Sequence, residues 1–127
     1  MPTYEKHFTL EEARAWLPQL RLYFARIHTL FVELTELQSQ FLKTQRIIQM
    51  NGHAPKTPPL EGAAAELKTI LKTIHEAGIE VKDIERGLVD FPHWRNDDEV
   101  FLCWEMSEDD INFWHFIEDG FPGRQPL

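Results

Sequence analysis

Leu10 to Met50 reads as one helix of about eleven turns, and from Leu20 to Ile48 it repeats one pattern. Apolar residues fall at Leu20, Phe24, Ile27, Phe31, Leu34, Phe41 and Ile48, with Gln38 and Gln45 filling two positions of the same seam. The alternating four-and-three spacing is that of coiled-coil-like packing, and Tyr23, Leu30 and Leu37 widen the face. A helix of this length reaches about 60 Å. Whatever else the chain forms must therefore pack along a rod. Thr9 and Glu12 open the helix as a reciprocal capping box. Pro18, about two turns in, predicts a bend or a short first segment.

The stretch NGHAPKTPPLEG breaks the pattern with two glycines, three prolines and an asparagine. Its Pro55 and Pro58 form a P-x-x-P, which a helix-hairpin tip explains as well as a polyproline ligand does. A second stripe follows over Leu60 to Ala77, carried by Leu60, Ala63, Ala64, Leu67, Ile70, Leu71 and Ile74, with Gly78 as its stop. The short connection predicts an antiparallel return along the first helix. A helix this short is expected to cover only the distal half, roughly Leu34 to Met50. That leaves Trp16, Leu20, Tyr23, Phe24, Ile27 and Phe31 for the C-terminal third or for a second chain.

Beyond Gly78 the period changes. IEVKD alternates, ERGLVDF follows a tight turn with Gly87 free to take positive φ, and EVFLCWEM comes after the polar PHWRNDD. In the last of these Val100, Leu102 and Trp104 face one way, Phe101, Cys103 and Glu105 the other. A strand this apolar predicts cover on both faces. EDDINFWHFIEDG reads as a closing helix, opened by Ser107 and ended by Gly120. The expected fold is α+β over a single domain, 1–127. A long antiparallel helical hairpin (9–77) packs with an acidic unit (79–127), a three-stranded antiparallel sheet with a short C-terminal helix.

Charge separates the two parts. Residues 1–50 hold six Lys/Arg against five Asp/Glu, residues 51–78 three against three, and residues 79–127 four against thirteen. The last segment thus carries the whole of the net −8. Such a surface repels phosphate, which argues against nucleic acid and leaves a solvated face, a cation or a basic protein partner. No stretch suits a membrane span, and the N-terminus has neither region of a signal peptide, so a cytoplasmic protein is expected. The one cysteine, Cys103, excludes an internal disulfide and a Cys-based zinc cluster, and reads as buried rather than nucleophilic.

Three stretches are together specific: FTLEEARAWLPQL, GIEVKDIERGLVDFP and EVFLCWEMSEDDINFWHFIEDGFPGRQPL. In them the chain resembles a family of short bacterial proteins known as domain of unknown function 2203. The resemblance implies a soluble bacterial protein and supports the order of elements. It implies no activity and assigns no catalytic residue.

If 110–119 is wound as a helix at about 100° per residue, Glu118 falls on the apolar arc between Trp114 and Ile111. His115 then lies just beyond its edge. Charge placed there needs a partner or a ligand. One reading joins His115 and Glu118 with Asp90, an acid poorly suited to its strand, as ligands of Zn, Mn or Fe. The other pairs Glu118 with Arg86 or Arg124 and satisfies His115 on a backbone carbonyl. Arg124, after the turn GFPG, is expected to anchor the tail. No HExxH, di-iron E-x-x-H pair, P-loop or GxGxxG is present. The expected function is a non-enzymatic oligomeric interaction or scaffold protein, homodimeric or higher, through the uncovered face of the first helix. The alternative is a small metal-dependent enzyme on His115, Glu118 and Asp90.

Overall fold

The computed structural model describes residues 1–51 and 60–127, so the P-x-x-P at Pro55 and Pro58 lies outside the described residues. α1 runs unbroken from Leu10 to Asn51. Its first turn is the expected capping box: Thr9 Oγ1 accepts from the Glu12 amide at 3.1 Å, and Glu12 Oε1 accepts from the Thr9 amide at 3.0 Å. Pro18 does not shorten the helix. It sits on the exposed side, so the backbone bond it forgoes is lost next to water.

Along α1 the buried positions are Ala13, Leu17, Leu20, Phe24, Ile27 and Leu30, and beyond Leu30 no described side chain is buried. This reverses the expected division of the helix. α2 (Leu60–Glu76) packs on the proximal half of α1, where Ile70 and Ile74 join the core and Arg26 forks onto Glu66. The proximal face wins because the sheet packs there too, and one core can be shared. The distal half is the part left without cover among the described residues.

α2 ends as its sequence directs. The Gly78 amide donates to His75 at 2.9 Å and the Ile79 amide to Ile74 at 3.3 Å, with Gly78 at φ 93°. This is a Schellman close, and its apolar contact partners, Ile74 and Ile79, are both fully buried.

The sheet has five strands rather than three: β1 (Glu80–Asp83), β2 (Leu88–Arg95), β3 (Asp98–Glu105), β4 (Phe113–Phe116) and β5 (Gln125–Pro126), all antiparallel and in chain order. The expected polar loop PHWRNDD shrinks to a two-residue turn. Asn96 and Asp97 take φ of 49° and 70°, conformations these two residue types tolerate, and β2 continues to Arg95. The expected closing helix does not form. FWHF is β4 instead, with Trp114 turned to the helices and His115 to the opposite face. β3 would otherwise present an unpaired edge of buried backbone, and an aromatic segment suits that role.

Val89, Phe91, Val100, Leu102, Trp104 and Trp114 meet α1 and α2 on one face. The other face is covered by the two ends of the chain. Tyr4 packs its ring on Phe101 at 5.3 Å, and Arg124 lies over Phe113 and Phe121 at 4.3 and 4.6 Å. The N-terminal segment is held by Glu99, which accepts from the amides of Thr3 and Tyr4 at 2.7 and 3.0 Å and meets His7 at 2.6 Å. Arginines of α1 hold the acidic β3–β4 connection. Arg21 donates to the carbonyls of Met106, Glu108 and Asp109, and Arg14 to that of Ile111. Among the described residues no helix is long and apolar enough to cross a membrane.

Candidate functional site

Strand register builds one buried polar group. Asp90 of β2 lies directly opposite Cys103 of β3, and His115 of β4 lies opposite Phe101, two residues along from Cys103. All three side chains therefore point away from the helices, into the layer closed by the chain ends. Each is at most 2% exposed, and their candidate ligand atoms all lie within 4.8 Å of one another.

His115 has a partner on each ring nitrogen. Nδ1 meets the Phe116 carbonyl at 2.7 Å, and Nε2 meets Asp90 Oδ1 at 3.1 Å. Burial works against the imidazolium, but the Asp90 carboxylate and the Phe116 carbonyl outweigh it, so His115 titrates above the ordinary histidine value. Burial first, then the neighbouring Asp90, pushes the Cys103 thiol up to about 12, with Arg124 pulling the other way. At neutral pH the sulfur is a thiol and a poor nucleophile. Three kinds of donor thus converge: a carboxylate oxygen, an imidazole nitrogen and a sulfur.

The residues singled out in the sequence divide cleanly. Asp90 and His115 come together. Glu118 does not join them: it is exposed in the turn after β4, beside Glu99 and Asp119 at a shallow hollow. The inward direction expected for it depended on a helix that is a strand and turn instead. Its expected arginine partners are also engaged elsewhere. Arg86 pairs with Glu105 at 2.6 Å, and Arg124 with Glu108 at 2.5 Å while donating to the Cys103 carbonyl at 3.2 Å. Arg124 does anchor the tail, on a different carboxylate. Sequence reasoning missed Cys103 as a member of the cluster. The two-residue turn at Asn96–Asp97 was the available signal, because it fixes the register that sets Cys103 against Asp90.

Comparison with curated proteins and with solved structures gives no match. A family model described as "Uncharacterized conserved protein (DUF2203)" matches residues 6–127, nearly the whole chain, and the chain belongs to that family.

Proposed function

We propose that this is an oligomeric interaction protein whose first partner is a second copy of itself, laid antiparallel along the distal half of α1. The observation that carries this reading is an apolar groove of about 930 Å³ that runs along the middle of α1 into that half, lined from Phe24, Phe31 and Val32 to Ser39 and by Ile84 and Met106. Val32 in the groove and Leu42 further along α1 are both more than half exposed.

Charge favours a second copy over a basic protein or a cation as the occupant. The distal half is acidic first, with Glu33 and Glu36, and basic afterwards, with Lys43 and Arg46. One antiparallel register, centred between Ser39 and Gln40, sets Glu36, which lines the groove, against Lys43 and repeats the pair by symmetry. A parallel pairing sets like against like. The antiparallel arrangement is isologous and closes as a dimer. The alternative, a metal-dependent enzyme, keeps only His115 and Asp90 of its three residues in one place and takes second position.

Light scattering after size exclusion tests the proposal. The charge-reversed variants Lys43→Glu and Glu36→Lys are each expected to weaken the dimer towards monomer. Combining the two changes restores complementarity and should restore the dimer. A folded double variant that stays monomeric would overturn the proposal, as would single variants that assemble like the unmodified chain.

A further inference from the structure

We infer that Asp90, Cys103 and His115 bind one divalent transition-metal ion of the zinc class, through a carboxylate oxygen, a thiolate sulfur and His115 Nε2. The ligand atoms already lie within 4.8 Å of one another. Bonds of about 2.0–2.3 Å to a shared ion need only small side-chain rotations from there. The Phe116 carbonyl at Nδ1 fixes the ring so that Nε2 faces the cluster, the arrangement usual for a ligating histidine.

The donor set selects the metal. A sulfur ligand disfavours magnesium, calcium and manganese, and a mixed sulfur, nitrogen and oxygen set suits zinc, with cobalt as its spectroscopic substitute. Coordination displaces the proton of the cysteine, as metals do for coordinating thiols generally. A dication with one carboxylate and one thiolate is then a neutral unit, which a buried site tolerates. Three protein ligands leave a fourth position for water or a small anionic or thiol ligand. Surrounding contacts hold the ligands from outside the cluster: Arg124 grips the Cys103 carbonyl, and the Phe101 ring packs edge-on against His115 at 5.5 Å. The competing account is a structural Asp90–His115 ion pair with an inert neighbouring thiol.

Cobalt distinguishes the two. Untagged, chelator-treated full chain is titrated with Co²⁺ and then with Zn²⁺, and its absorption is recorded. One equivalent of Co²⁺ should produce a near-ultraviolet sulfur-to-cobalt band that Zn²⁺ abolishes. Because Cys103 is the chain's one cysteine, such a band reports on it alone. Cys103→Ser should remove the band. His115→Gln and Asp90→Asn should each weaken Co²⁺ binding by more than the ~10–100-fold typical of changes outside the ligand shell. Far-ultraviolet circular dichroism establishes that each variant is folded. A folded unmodified chain that gives no band at stoichiometric Co²⁺ would overturn the inference. So would Co²⁺ affinity left unchanged in folded His115→Gln and Asp90→Asn.

Discussion

Asp90 and Cys103 stand directly opposite each other across β2 and β3, and the same register carries the strand pair down to its closed end at Asn96 and Asp97. Asp90 meets His115 at 3.1 Å on the next strand. A carboxylate and an imidazole taken this far from water are tolerable only together.

Asp90→Ala leaves the His115 Nε2 buried without its acceptor. The expected loss is about 3–5 kcal/mol, the range for breaking a buried pair from one side. Urea unfolding in the presence of chelator measures it. A loss below about 1 kcal/mol would mean that the pair contributes little to holding β2 and β4 in place.

The turn supplies a change in the opposite direction. Asp97 is exposed at φ 70°, a conformation that costs residues with a Cβ up to about 1–2 kcal/mol and glycine almost nothing. Aspartate is among the types that bear it best, so Asp97→Gly is expected to stabilise the protein by roughly 0.5–1 kcal/mol. The resulting Asn-Gly pair matches the turn geometry better than the native Asn-Asp. A rise of a few degrees in Tm checks this.

The N-terminal cover depends on pH through Glu99. Burial pushes its carboxyl up, but the amides of Thr3 and Tyr4 and the ring of His7 outweigh it and hold the group at about 2, against an ordinary 4.5. A depressed carboxyl adds stability that is fully present above about 4.5 and is lost as pH falls through about 2. Protection of the Thr3 and Tyr4 amides, their exchange measured against the intrinsic rate at each pH, should therefore fall across that window. In Glu99→Gln that protection should be low already at neutral pH and change little with acid down to pH about 3.

What was legible in the sequence was what neighbouring residues decide. Thr9 and Glu12 satisfy each other within one turn, and Gly78 closes α2 through bonds to residues three and five positions back. The alternation of Val100, Leu102 and Trp104 against Phe101 and Cys103 also came through, because every residue of β3 between Val100 and Trp104 is buried. Phe113 to Phe116 did not. Four residues are too few to separate a period of two from one of 3.6, and Ile111, Trp114 and Ile117 imitate a helical face. The choice was made by the open edge of β3, a demand from 10–16 residues upstream. Cys103 was hidden for a related reason. Its partner depends on reading Asn96–Asp97 as a turn without glycine. The covered half of α1 was also a long-range matter, settled by where the sheet docks rather than by the lengths of the two helices.

Self-association through α1 is the central claim, and sedimentation equilibrium of the unmodified chain tests it most directly. The chain mass is 15.0 kDa, and the account predicts a species of twice that mass that gives way to monomer on dilution. A single 15.0 kDa species at every concentration up to the millimolar range would contradict it.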